Sequence, residues 1–293
     1  MKILILGANG MIGHKIYQYL DKKMYKIIIH TRNPIITYSY SNFFSNHFDS
    51  VHFDLSNFYM ITIHLEKIKP DIIINCAGIT TRRGVGKSMF EFIKLNTLLP
   101  NILSEWAKSN EKKLIHFSTD CVFNGQNGPY FDSDFPDAND IYGKTKSLGE
   151  VTNKNTLTIR SSMIGLELEN KTELFEWLLT NNNRDIEGYD NAFYSGVTTI
   201  QMAKYINLIL ENYIDLAGII NISSLPISKF NLLNLLIKKF NLNIKLIKNI
   251  NYKSNKILNS DIFHKIIGQQ QLVWQDMLDD LKHDYTSNQI YHN

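Results

Sequence analysis

Cysteine is almost missing: the chain's 293 residues hold two, Cys76 and Cys121. That speaks against a disulfide-stapled fold. Neither thiol belongs to a Cys-x-x-Cys pair and the nine histidines fall at no ligand spacing, so no metal is expected. Long apolar runs are missing as well. The N-terminal "ILIL" is too short for the apolar region of a signal peptide, and nothing approaches the roughly 20 residues that span a bilayer. Charge of one sign is also scarce: 31 Lys and Arg face 28 Asp and Glu, a net +3 with no basic block. Nucleic acid is therefore not an expected partner. No internal repeat or low-complexity linker interrupts the chain. What remains, 44% hydrophobic and 20% charged residues, is globular composition able to fill a sizeable core. The expectation is a cytoplasmic protein without membrane association.

The first half alternates short apolar runs with helical patterns. "KILIL", "YKIIIH", "SVHFDL", "PDIIINCAG", "KLIHFST" and "TLTIR" read as strands. Their lack of polar alternation suits a parallel sheet buried on both faces. "MIGHKIYQYLDKK", "FYMITIHLEKI", "SMFEFIKLNTLLPNILSEWAKSN" and "IYGKTKSLGEV" read as helices, the third with a kink at Pro100. This order predicts an α/β fold, a Rossmann-like doubly wound parallel sheet. The Gly-, Pro-, Asp- and Asn-rich stretch 121–140 reads as a long functional loop. Beyond Gly165 the regularity fades, with helices expected over 171–181, 199–213 and 228–240 and a strand over 218–223. The expected division is a dinucleotide-binding domain over 1–164 and a smaller C-terminal α/β substrate-binding region over 165–293, some of whose segments return to the first. Trp106, Trp177 and Trp274 read as core.

Three glycines, Gly7, Gly10 and Gly13, follow the first strand and open the first helix. In that context the first serves a tight turn, the second lets a pyrophosphate approach the backbone, and the third lets helix pack on strand. The helix N-terminus then offers free N–H groups to phosphates. The second strand ends "HTRNP", with no carboxylate to hold a ribose 2′-hydroxyl. Arg32 is placed to meet a 2′-phosphate, or is a solvated loop residue. NADP(H) is the preferred cofactor, with NAD(H) as the alternative. Asp54, after the third strand, is either an acceptor for the adenine amino group or a helix cap.

Tyr142 and Lys146 lie four apart on a helical segment, hence on one face. An ammonium beside a phenol lowers its pKa and makes it a usable proton donor. Ser118, Thr119 and Asp120 end a buried strand, where α/β sites assemble, and a hydroxyl there can bond a substrate carbonyl.

Together "GANGMIG", "NCAG", "FSTDCVFNG", "YGKTK" and "LGE" resemble the extended short-chain dehydrogenase/reductases, and within them the dTDP-4-dehydrorhamnose reductases and related nucleotide-sugar reductases. The likeness is strong over about residues 1–165. It implies a catalytic set of Thr119, Tyr142 and Lys146. It implies cofactor contacts from Gly7, Asn9, Gly10, Met11, Ile12, Gly13, Thr31, Arg32, Asp54, Leu55, Cys76, Ala77, Gly78 and Asn96, with Tyr142 and Lys146. The substrate, a nucleoside-diphosphate sugar, would meet Thr80, Arg82, Thr119, Asp120, Cys121, Met163 and Ser195. Cys121 stands where the family often has an aromatic residue, and Met163 where it has Trp. Arg82, Arg83 and Lys87 form a basic lip that faces the diphosphate or solvent. A homodimer is left open.

Other readings stand beside this one. "RRGVGKS" mimics the end of a phosphate-binding P-loop, but the pattern needs glycine where Thr81 stands. An epimerase or dehydratase of the same superfamily would retain NAD, and the end of the second strand lacks the acid that would favour it. A non-catalytic dinucleotide-binding regulator would be expected to have lost part of the Thr–Tyr–Lys set. "GYDNAFYSGVTT" is the expected outer wall of the cleft, with Thr198 and Thr199 either bonding phosphates or capping the next helix.

Overall fold

The protein was analysed as a computed structural model that describes residues 1–44 and 49–292. Six strands of its central sheet come from the chain up to Arg160: β1 (Lys2–Leu6), β2 (Lys26–Thr31), β3 (Ser50–His52), β4 (Ile72–Asn75), β5 (Lys113–Phe117) and β6 (Thr156–Arg160). Shorter strands follow. β7 (Met163–Ile164) pairs with β10 (Val197–Thr198), and β8 (Asp185–Tyr189) with β13 (Lys245–Asn249). β9 (Ala192–Tyr194) lies between β12 (Ile227–Ser228) and β14 (Ser254–Asn255). The seventh strand of the main sheet, β11 (Gly218–Asn221), returns from the second half, giving the order β11-β6-β5-β4-β1-β2-β3, parallel throughout.

The apolar runs work as read because both sheet faces are covered. Ile3 and Ile5 of β1 enter one core layer with Ile27, Ile29, Ile72 and Ile74. Leu4 and Leu6 enter the opposite layer with Ile28 and Ile73. Side chains alternate along a strand, so a strand apolar at every position serves two layers. The first layer contains α1 (Gly13–Tyr19), α7 (Thr199–Asn212), α8 (Lys229–Lys239) and α10 (Trp274–Ser287); the second contains α2 (Phe58–Ile68) and α4 (Leu99–Ser109). The rest are α3 (Met89–Phe92), α5 (Ile141–Ser147), α6 (Leu174–Thr180) and α9 (Asp261–Ile267). No helix among the described residues is long and apolar enough to cross a membrane.

Side-chain caps start several helices. Asn57, Asp140, Thr198 and Ser228 each accept a first-turn N–H of α2, α5, α7 and α8. Thr198 is thus a cap. The long helix runs past Pro100 without a break. It is continuous through a π-helical segment, Ile93–Leu98, placed immediately ahead of α4. Proline has no N–H for the Asn96 carbonyl, and the wider turn absorbs that loss. Gly149 packs against the freed carbonyl, where a Cβ would come within 1.9 Å. Of the three tryptophans only Trp274 is core, at 4% exposure. Trp106 donates to Glu66 at 2.7 Å, and Trp177 lies under the Arg82 guanidinium, so both stay partly solvated.

The end of the chain closes back on α1. Lys15 is fully buried and forms an ion pair with buried Asp284, while Tyr291 hydrogen-bonds both Lys15 and His14. Burial lowers Lys15 to about 8 even though Asp284 opposes the shift. Removing one partner leaves a buried charge without compensation. Asp284→Asn should therefore cost on the order of 3 kcal/mol in urea unfolding. The double variant Lys15→Met, Asp284→Leu should recover most of that loss. A single variant as stable as wild type would show that the pair carries no such weight.

Candidate active site

The glycine turn is built by backbone proximity. Gly7 adopts φ +70°, and Gly10 N–H donates back to its carbonyl at 3.0 Å. A Cβ on Gly13 would lie 2.3 Å from the Gly7 carbonyl oxygen and 2.9 Å from Ala8 Cα, so α1 can start here only from glycine. His30, at the end of β2, accepts the Gly7 N–H at 3.3 Å and bonds the Phe53 carbonyl at 2.9 Å. Burial lowers it to about 4, so it stays neutral. His14 bonds the Gly10 carbonyl at 2.8 Å and fixes the turn from the other side.

After β4 the backbone passes between two cavities. Asn75 accepts from Ala77 N–H at 3.2 Å and donates to His116. Buried Asn96 accepts from Ile79 N–H at 2.8 Å and donates to the Ile79 carbonyl at 3.0 Å. Gly78 passes so close that a Cβ would meet the Asn96 side chain at 3.2 Å. One cavity, of about 460 Å³, runs past the turn and is lined by Gly7, Asn9, Gly10, His30, Arg32, Asp54 and Leu55. The other, of about 350 Å³, is lined by Met11, Ile12, Thr80, Arg82, Thr119, Asp120, Cys121, Tyr142, Lys146 and Met163. Cys76, Ala77, Gly78 and Arg83 border both.

Thr119 follows β5 in extended backbone. Its hydroxyl accepts from Cys121 N–H at 3.1 Å and lies 3.1 Å from an Asp120 carboxylate oxygen. Tyr142, presented by α5, lines the same cavity, close to the Thr119 side chain. Burial pushes the phenol well above its usual range; Cys121 adds to the shift and Thr119 opposes it. The expectation that an ammonium holds the phenol down is not met in this geometry. Lys146 instead donates to the Phe117 carbonyl at 2.5 Å, and desolvation lowers it to about 8.

Four predicted residues fall outside both linings. Gly13 acts through packing. Thr31 is buried and donates to the Asn33 carbonyl at 2.6 Å. Asn96 is spent on Ile79. Ser195 is turned inward, accepting from Leu258 N–H at 2.9 Å, and only Tyr194 of the expected outer wall lines the cavity. The basic lip is largely occupied: Arg83 pairs with buried Glu167 and sits 3.9 Å from Glu173, and Lys87 pairs with Glu91. Arg82 donates to the Thr172 carbonyl at 2.7 Å. Residues the motifs did not reveal also line the cavities: His30, Glu169, Glu173 and Lys229. Glu173 accepts from Thr80 at 2.8 Å. Among the described residues no His, Cys, Asp and Glu cluster fits a metal.

Residues 1–181 match the RmlD substrate binding domain family. The spore coat polysaccharide biosynthesis protein SpsK of Bacillus subtilis is 27% identical over 168 residues, 56% of this chain and 53% of that protein. A dTDP-4-dehydrorhamnose reductase of Aggregatibacter actinomycetemcomitans is 26% identical over 151 residues, 51% of this chain and 45% of that protein. The chain thus spans about half the length of the curated relatives it matches. In fold it resembles the crystal structure of dTDP-4-dehydrorhamnose reductase from Bacillus anthracis in complex with NADP, at TM-score 0.79 and 19% identity, covering 97% of this chain and 99% of that one.

Both thiols are free, and neither suits a nucleophile. Burial pushes Cys76 well up and Cys121 up to about 12. The thiolate fraction near neutral pH falls accordingly, so iodoacetamide at pH 8 should label the folded protein on the order of 10³-fold more slowly than free cysteine. Urea should restore ordinary rates, read by mass spectrometry. Rapid labelling of the folded chain would contradict this environment.

Proposed function

We propose that this chain, which belongs to the RmlD substrate binding domain family, is an NADPH-dependent reductase of a nucleoside-diphosphate-linked 4-keto-6-deoxy sugar, working in deoxysugar and cell-surface polysaccharide biosynthesis. The observation that carries the reading is the gathering of Thr119, Tyr142 and Lys146 in the lining of one cavity, which shares a wall with the glycine-turn cavity. The turn suits a dinucleotide. A Cβ on Gly7 or Gly10 would come 3.2 Å from backbone, so this stretch is bare peptide that phosphates can approach. Gly7, Asn9, Gly10, Arg32, Asp54 and Leu55 would hold its adenosine and phosphate part; Met11, Ile12, Cys76, Ala77 and Gly78 the part nearer the reaction. Nicotinamide, when bound, supplies a hydride.

The chain's own groups supply the proton. Tyr142, kept neutral by burial, holds it on the phenol oxygen. Thr119 orients that hydroxyl, and its own contact with Asp120 fixes its direction. Lys146, anchored on the Phe117 carbonyl, stands ready to stabilise the phenolate that remains. A carbonyl oxygen between the two hydroxyls meets fixed donors instead of water that must reorganise.

An epimerase or dehydratase remains the competing reading. Arg32, exposed at the cavity edge with no carboxylate at the end of β2, favours NADPH consumption over retained NAD. NADPH absorbance should fall on mixing with a panel of nucleotide 4-keto sugars, and NMR should show a 6-deoxy hexose product. Tightly held NAD and sugar interconversion without NADPH use would establish the competitor.

Tyr142→Phe should lower kcat by about 10²–10⁴-fold with near-normal NADPH binding. The wild-type alkaline limb should lie near pH 8, because Lys146 is an ammonium below about 8 and neutral above it. A Tyr142→Phe rate within a few-fold of wild type would end the acid assignment. Arg32→Ala should weaken NADPH by about tenfold or more and leave NADH almost unchanged. Equal losses for the two cofactors would remove Arg32 from 2′-phosphate recognition.

A further inference from the structure

Lys229 is the first residue of α8 and lines the cavity that holds Thr119 and Tyr142. Among the described residues its ammonium has neither a hydrogen bond nor an ion pair. Its contact is the face of the Tyr194 ring, with Nζ 4.5 Å from the centroid. Arg82 and Lys256 are close enough to repel it, and Asp120 is close enough to attract it. Lys256 is drawn to the same Asp120 and to Asp140. Lys229 and Lys256 therefore share the Asp120 carboxylate, which is also engaged by the Thr119 hydroxyl. Ser228 caps α8 by accepting from Asn231 N–H at 3.1 Å, so the helix's positive end adds to the same field.

Desolvating an ammonium without a counter-charge costs free energy that the fold does not recover here. The cations expected at the lip do not show this pattern. Arg83 and Lys87 have carboxylate partners, and Arg82 has the Thr172 carbonyl and the Trp177 ring.

We propose that Lys229 is the anion-binding residue of the substrate cavity and that the group it receives is the diphosphate of the nucleotide sugar, an assignment resting on the reductase reading above. A diphosphate diester carries two negative charges. It would give the Lys229 ammonium the ion pair it lacks, and it would place the attached sugar toward Thr119 and Tyr142. A carboxylate on the sugar is the other source of the same charge.

The test is calorimetric and needs no turnover. Thymidine diphosphate and uridine diphosphate are titrated against thymidine and uridine, into wild type, Lys229→Met and Lys229→Arg, with thermal melting as the folding control. Wild type should prefer a diphosphate over its nucleoside. Lys229→Met should lose about 10- to 100-fold on the diphosphate and nothing on the nucleoside, the size of a lost charge-assisted hydrogen bond. Lys229→Arg should stay within a few-fold of wild type, which a role limited to packing on Tyr194 would not require. If wild type does not distinguish diphosphate from nucleoside, the nucleotide-sugar reading and the subsite fall together. If wild type prefers the diphosphate and Lys229→Met keeps that preference, the substrate reading stands and the Lys229 assignment falls. UDP-glucuronate and UDP-glucose separate the two sources. A penalty in Lys229→Met confined to the glucuronate would overturn the diphosphate in favour of a sugar carboxylate.

Discussion

The side-chain amide of Asn96 holds the Ile79 N–H and C=O at once and also reaches the Thr145 hydroxyl on α5. The loop between β4 and α3 forms the wall common to the two cavities, and this clamp fixes it. The clamp depends on the π-helical segment that carries Asn96 inward, and the segment in turn accommodates Pro100. Thr145 lies one residue before Lys146, so the same amide also sets the height of the Tyr–Lys helix. A buried amide with its donors and acceptor satisfied is rigid, because any movement would leave a polar group unpaired in a dry interior.

Burial sets the electrostatics of the cavity more than any single neighbour does. It raises Tyr142, Cys76 and Cys121 and lowers Lys146, His14 and His30, so each group rests closer to its neutral form than it would in water. The exceptions are paired. Glu150 forms a buried ion pair with Arg160 at 2.8 Å and accepts from Ser118 at 2.6 Å, and Glu167 takes Arg83 together with the N–H groups of Thr172 and Glu173. The stretch 167–173 is thereby tied to the loop after β4 by Arg83 and Thr80, and to the glycine turn by Asn9, which donates to Glu169 at 3.1 Å.

Much of the sheet was legible because a doubly buried strand leaves an unmistakable run, as "IIIN" and "KLIHF" do. The helix over Phe58–Ile68 was readable to its ends, and in the structure the Asn57 side chain caps its start while Lys69 turns left-handed at its end. The two-residue strands after β6 were not, since a pair of residues has no period to detect. Motif residues around the cavities were legible where a glycine or a fixed i, i+4 spacing demands a residue type. His30, Glu173 and Lys229 were not, because their meaning comes from partners tens to hundreds of residues away. Lys229 reads in sequence as an ordinary helix-start lysine. Ser195 shows the opposite error: a hydroxyl in an aromatic-rich wall looked available, but the backbone of Leu258 had claimed it.

The brace on α1 has a bearing on how the chain comes into being. Lys15 is paired by a residue 269 positions later and touched by one 276 positions later. The glycine turn and its helix leave the ribosome well before the partner that makes the Lys15 ammonium tolerable in the interior. Until then the first helix has every reason to keep that ammonium in water, and its inner face open. In this respect α1 is finished only after residues far down the chain have been made, so the setting of the glycine turn waits on them.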